Sequence, residues 1–234
     1  LRQFFDLLSK DQVKRLGWLP KDGESNDDQL TRPYILSASL FARNNDSITQ
    51  AHQIFTENQD KLESLSADIR GLVLKNEVQN FGSAELFDKL IKAYQQTADA
   101  SFKQDLRMAI PNTTDPALIA KVVSYFEPQD LRAWYRGLLA NQAGQQAAWN
   151  WLRDEWQWLN DTVGGDMEFA TFITVTAGVF HTPERLNEFK DFFEPKLNTP
   201  GLTREIKMDI SVIESKVNLI NKEQTAVNDA IAQQ

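Results

Sequence analysis

Apolar side chains recur along this chain at three- and four-residue intervals, and strict alternation over a strand length is hard to find. That is the pattern of amphipathic helices. Phe4, Phe5, Leu7, Leu8 and Val13 predict a first helix over 1–15. The same spacing predicts helices over 28–43, 47–62, 66–80, 83–96, 100–110, 115–126, 129–141, 145–162, 167–178, 183–193 and 202–231. Glycine and proline fall mostly between these segments, where they punctuate. Several starts carry a mechanism. Asp115-Pro116 and Thr182-Pro183-Glu184 put a side-chain oxygen acceptor before a proline at the first helical position, where its missing N–H costs nothing. Ser83-Ala84-Glu85 and Ser66-Ala67-Asp68 are weaker versions, while Gly82 and Gly164-Gly165 mark stops. The stretch from Gly17 to Ser25 predicts an ordered loop.

About a dozen helices joined by short turns predict an all-α fold of antiparallel pairs. The pair period, roughly 30–40 residues, is that of helical solenoids. No strict repeat is present, so the expected architecture is an irregular superhelix of HEAT/ARM-like α-α pairs. No linker, low-complexity tract or composition break interrupts the chain, which predicts one domain over 1–234.

Four of the six tryptophans lie in Ala148–Leu159. Trp149 and Trp156 are seven apart, as are Trp151 and Trp158. Two helical turns separate each pair, so each stacks on one face, and the faces are nearly opposite. Such a helix is expected to be central, with tryptophans packing a core rather than stacking on a ligand.

Composition narrows the function classes. Apolar residues make up 41% and charged residues 25% of 234, ordinary for a globular protein. Thirty-three acidic against 25 basic residues give a charge of −8. With no basic block, neither nucleic acid nor an anionic membrane is an expected partner. There is no cysteine, which excludes disulfides, thiolate metal sites and a cysteine nucleophile and suits a cytoplasmic, reducing compartment. No apolar run approaches the ~18 residues of a membrane span. The start, Leu1-Arg2-Gln3-Phe4-Phe5, is already amphipathic and lacks a signal-peptide pattern, so it reads as a boundary inside a longer polypeptide.

Catalytic chemistry is not visible. The two histidines, His52 and His181, have no histidine partner one turn away, as H-E-x-x-H zinc sites require. His181 and Glu184 are separated by the helix start at Thr182-Pro183. Gly23-Glu24-Ser25-Asn26 lacks the second glycine of a nucleophile elbow, and phosphate-cradling glycine patterns are absent. Asp27-Asp28 and Asp154-Glu155 read as solvated faces. No catalytic and no metal-binding residue is therefore assigned. Two arginines stand out: Arg32, before Pro33 in an apolar helix, and Arg70, in Ile69-Arg70-Gly71-Leu72-Val73. Each is either ion-paired within the fold or free to meet an anion such as a peptide carboxylate, which the guanidinium fork suits.

Several stretches in order carry a resemblance. Leu16-Gly17-Trp18, Gly23-Glu24-Ser25, Asp28-Gln29-Leu30 and Arg32-Pro33 come first. Ala67-Asp68-Ile69-Arg70-Gly71, Asn80-Phe81-Gly82, and Asn141-Gln142-Ala143-Gly144 with Ala148-Trp149 and Trp151-Leu152 follow. Phe180-His181-Thr182 and Ile206, Ile210, Ile213 and Val217 complete the set. Over nearly the whole chain these resemble the helical C-terminal domain of aminopeptidase N and the endoplasmic-reticulum aminopeptidases. The segment around Asn141 is the most specific.

The resemblance implies a bowl of helix pairs that caps the active-site cavity of a zinc metallo-aminopeptidase of the membrane alanyl type and limits peptide size. Zinc and the catalytic residues would lie upstream, in a catalytic domain missing from this chain. The implied partners are that domain and peptide substrates. An arginine that some members carry before the asparagine segment is Ala140 here, and a second basic position falls close to Pro111. Arg32 and Arg70 match the pattern better, as candidates for the substrate carboxylate. The competing reading is a free-standing helical-repeat scaffold for a partner protein. If domains are missing, an apolar patch should be exposed where they dock.

Overall fold

Among the described residues the three- and four-residue spacing is realised as helix. The computed structural model describes residues 1–126, 130–165 and 169–233; among these are thirteen α-helices, three short 3-10 turns and no strand. The chain is all-α, as its periodicity predicts. Its helices group into two compact units, Leu1–Leu118 and Ile119–Gln233, with the division inside one helix, α7 (Pro116–Ser124).

In the first unit α1 (Arg2–Leu16) packs on α2 (Asn26–Phe41), and α2 packs on α3 (Asn45–Asn58) and α4 (Ala67–Phe81). Helix α4 is the centre, since it also packs on α3 and α6 (Ala100–Ala109). Its buried residues include Ile69, Val73, Leu74 and Val78, with Arg70, Asn76 and Glu77 among them. Helix α5 (Ala84–Gln96) closes the unit against α6, burying Phe87, Leu90, Ile91 and Tyr94. Each large apolar side chain so enclosed contributes about 1.5–3 kcal/mol.

Predicted starts hold at four sites. The side chains of Ser83, Asp115 and Thr182 accept from the amides of Leu86 (3.1 Å), Ala117 (2.8 Å) and Arg185 (3.3 Å). At Ser66 the helix begins without a side-chain cap, its carbonyl accepting from Arg70 N at 2.9 Å. Gly82 does end α4, but with φ −58° rather than in the left-handed region. Its reason is space, because a Cβ there would lie 2.5 Å from the Val78 carbonyl oxygen.

The second unit is built on α8 (Leu131–Ala140), which packs on α9 (Gln145–Asp154) and α11 (Thr171–Val179). Helix α13 (Thr203–Ala232) lies against α11 and α12 (Pro183–Phe193). The predicted 183–193 helix coincides with α12. The first residues of the predicted 129–141 and 167–178 helices, Gln129 and Met167–Glu168, lie outside the described residues.

The predicted 145–162 helix is two helices, because the chain breaks at Glu155 (φ −99°, ψ 13°) before α10 (Trp156–Val163). The tryptophans consequently leave the two continuous faces that an unbroken helix would give. Trp149 is fully buried and Trp158 is 39% exposed. Trp149 meets Phe180 at 5.3 Å and Phe192 at 5.6 Å, both edge-on, and Trp156 meets Phe193 at 5.4 Å. This is core packing, in which edge-to-face pairs add about 0.5–1.5 kcal/mol each beyond area.

Candidate functional site

Arg32 sits on the buried face of α2 with Leu36 and Ser39 and is only 2% exposed. Its Nη2 donates to Oε1 of Glu24, a residue from the Gly17–Ser25 loop whose side chain is equally enclosed. The loop is held at both ends. Gly17 and Gly23 take φ of 67° and 75°, which any side chain would resist. Trp18 is buried, Ser25 caps α2, and Arg15 pairs with Asp28 at 2.7 Å. That pairing holds the Asp28 carboxyl below its ordinary range.

Arg70, buried in α4, spends its guanidinium on three partners. Nε donates to Asp105 Oδ2 at 2.6 Å, Nη1 to the Glu63 carbonyl at 2.8 Å, and Nη2 to Ser101 Oγ at 2.9 Å. The ring of Phe102 lies 5.2 Å from its carbon centre. The residue thereby joins α4 to α6 and to the turn before α4. Each of the two arginines is thus held by its own acid inside the first unit.

The other candidates separate. His52 Nδ1 and Glu77 Oε2 are 2.8 Å apart, with the imidazole stacked on Phe81 at 3.9 Å. Burial pushes the Glu77 carboxyl up, and His52 opposes this. His181 Nδ1 lies 2.9 Å from the Val179 carbonyl. Neither histidine joins a third ligand; among the described residues no group of three His, Cys, Asp or Glu converges. The described residues therefore do not fit a zinc site. Asp27, Asp154 and Glu155 are exposed.

The Asn141–Gly144 segment is a tight turn between α8 and α9. Gly144 N donates to the Asn141 carbonyl at 2.9 Å, and Ala143 N to Asn141 Oδ1 at 3.2 Å. A Cβ on Gly144 would meet Leu138 Cδ1 at 2.3 Å. The segment's specificity is that of close helix approach.

One buried acid escaped the sequence reading. Asp209, on α13, is 3% exposed, and its Oδ2 lacks a hydrogen-bond partner among the described residues. Burial, reinforced by the Glu205 charge, pushes its carboxyl up to about 6, while Thr174 and Lys216 pull it down. Its position, three residues beyond Ile206 and four before Ile213 on the apolar face, is the signal that could have found it.

With the geometry in place, comparison with known proteins adds the family. The family described as ERAP1-like C-terminal domain matches residues 1–215. The chain is 68% identical to an Aminopeptidase N of Lactobacillus helveticus, over 99% of this chain and 28% of that protein. It is 58% identical to an Aminopeptidase N of Lactobacillus delbrueckii subsp. lactis over the same shares. It is 39% identical to one of Lactococcus lactis subsp. cremoris, over 93% of this chain and 26% of that protein. The chain therefore spans little more than a quarter of the length of these relatives. No described helix is long and apolar enough to cross a membrane.

Proposed function

The chain belongs to the family of ERAP1-like C-terminal domains, and from that premise we propose that it is the non-catalytic helical domain of a zinc-dependent aminopeptidase N that releases N-terminal amino acids from peptides. One observation carries the reading. Relatives called Aminopeptidase N align with nearly all of this chain but with only 26–28% of themselves. The rest of such a protein has room for the zinc and the catalytic residues, for which the described residues of this chain offer no metal-binding group.

In this reading the 234 residues act as one domain that caps the active-site cavity. The cap governs which peptides enter and how long they can be, the role of a lid that gates access. Its partners are the preceding catalytic domain and peptide substrates, with neither nucleic acid nor membrane among them, and the enzyme works in the cytoplasm. Contact of Arg32 or Arg70 with a substrate carboxylate belongs to the same proposal. It carries a requirement, since the peptide must displace Glu24 or Asp105.

The test has two arms. The purified chain, with zinc added and contaminating peptidase excluded, should release no leucine from a chromogenic leucine substrate. Turnover that follows the chain through purification would end the non-catalytic assignment. The complete polypeptide should hydrolyse that substrate and discriminate among peptides by length. Discrimination unchanged after deletion of this segment would end the cap assignment.

A further inference from the structure

Helix α13 carries a second uncharged face besides the one it buries. Ile206, Ile213 and Val217 are buried, in a helix packed on α11 and α12, while Met208, Val212 and Leu219 are 47%, 42% and 62% exposed. Steps of four and seven residues keep these three within one arc of the helix, roughly opposite the buried one. Ser215 lies in the same arc, and Ser211 and Asn218, also exposed, border it on one side. The charged side chains of these turns are drawn away from it. Asp209 is buried, Lys216 donates to the carbonyls of Ala177 (3.0 Å) and Gly178 (2.6 Å), and Glu214 pairs with Lys190 at 2.5 Å. Lys207 stands about 100° round the helix from Met208. Charge returns where the stripe ends, with Arg204 and Glu205 about one turn before it and Lys222 and Glu223 about one turn after.

We infer that this face binds a second copy of itself, antiparallel, about a two-fold axis that crosses α13 between Ile213 and Glu214. The order of side chains along the stripe suits such an isologous contact, in which one patch must complement itself. The axis sets Met208 against Leu219 of the second copy, and Val212 against its Ser215, an apolar side chain beside a small one, so that the helices approach closely. It sets Ser211 against the second copy's Asn218, hydroxyl against amide. At each end Arg204 and Glu205 of one copy meet Lys222 and Glu223 of the other, two bases on two acids. A parallel pair would instead set Glu205 beside Glu205 and Lys222 beside Lys222, like charge on like. A partner of different sequence gives no reason for charges in two-fold order, which is why the occupant is another copy, and this holds independently of the parent-enzyme reading. The eight side chains from Glu205 to Lys222 that enter the contact supply roughly 500 Å² per copy and about 1,000 Å² in all, the lower bound of a specific interface, so the pairing is reversible with a Kd of about 10–100 µM.

Sedimentation velocity of the polypeptide expressed from its complete reading frame, over a concentration series spanning that Kd, tests this. The dimer fraction should rise with concentration. Val212→Asp, at an exposed position, should leave the helical circular-dichroism spectrum unchanged and abolish the dimer. Lys222→Glu and Glu205→Lys should each weaken association about ten-fold, because each gathers three like charges at both ends. An equimolar mixture of the two variants should associate within about two-fold of wild type, since each then supplies the charge the other lacks. A purely structural role for these residues would not be mended by mixing. Glu205 also accepts from Thr174 at 2.6 Å, so if Glu205→Lys unfolds, Lys222→Glu, at an exposed side chain, decides the charge pairing alone. A dimer indifferent to Val212→Asp, or a mixture of folded variants that stays monomeric, would overturn the inference. A monomer at every concentration would overturn it too, and protection of Met208 from peroxide in that monomer would hand the face to another part of the polypeptide.

Discussion

Replacing Asp209 by Asn should stabilise the fold, and by an amount that depends on pH. The carboxyl lies on the apolar face of α13 between Ile206 and Ile213, 3% exposed, with one oxygen lacking a partner among the described residues. Its value is raised from 3.8 to about 6, first by burial and then by Glu205 one turn earlier. That gap corresponds to about 3 kcal/mol spent on keeping the buried group ionised above pH ~7. The folded-state value exceeds the unfolded one, so between them the native state holds the extra proton. Wild-type stability from this group is therefore greatest below about pH 4 and is lost as pH rises through about 6.

Asn removes the charge but leaves a buried amide, so the gain at about pH 7.5 should be about 1–3 kcal/mol. It should shrink by about 2 kcal/mol on going to about pH 4.5, where wild type has recovered most of its proton. Urea denaturation of both proteins at the two pH values measures this, and carboxylates common to both cancel. A destabilised variant at the higher pH, or a gain that ignores pH, would refute the reasoning.

Three further outcomes follow from packing. Glu24→Ala strands the Arg32 guanidinium in the interior and should cost about 3–5 kcal/mol in denaturant unfolding, with much of the loss recovered by adding Arg32→Met. Arg70→Met removes three hydrogen bonds and should cost about 2–4 kcal/mol. Arg70→Lys should recover only part of it, because an ammonium lacks the planar fork. Gly144→Ala drives a methyl group onto Leu138 and should lower thermal stability by about 1–3 kcal/mol, with smaller change when Leu138 is also shortened to Val.

Helices and their starts were legible because both rest on local rules. A proline after a threonine acts within one turn, and the amides of Ala117 and Arg185 confirm the caps at Asp115 and Thr182. The break at Glu155 was not legible, since Asp154-Glu155-Trp156 contains neither glycine nor proline. It lets Trp156 turn onto Phe169 at 5.2 Å and Phe193 at 5.4 Å, contacts with residues 13 and 37 positions away in sequence. Burial of Asp209 was missed for the same kind of reason. Its helical position is apolar, but only the helix packed across it decides whether a polar residue there reaches water.

The two arginines show what spacing alone leaves open. Arg32 and Arg70 both sit in apolar helical stretches, a setting compatible with an internal acid or an incoming anion. The deciding residues, Glu24, Asp105 and Ser101, are eight to 35 positions away. A peptide carboxylate at Arg70 would have to exchange with Asp105, gaining one charge-assisted contact by losing another, while Glu63 and Ser101 keep their bonds. Such an exchange is nearly neutral in hydrogen bonding, and the displaced acid then needs solvent. Asp105, at 21% side-chain exposure, can reach it more readily than Glu24, whose side chain is 5% exposed. If either arginine meets a substrate, Arg70 is therefore the one whose acid can step aside at lower cost.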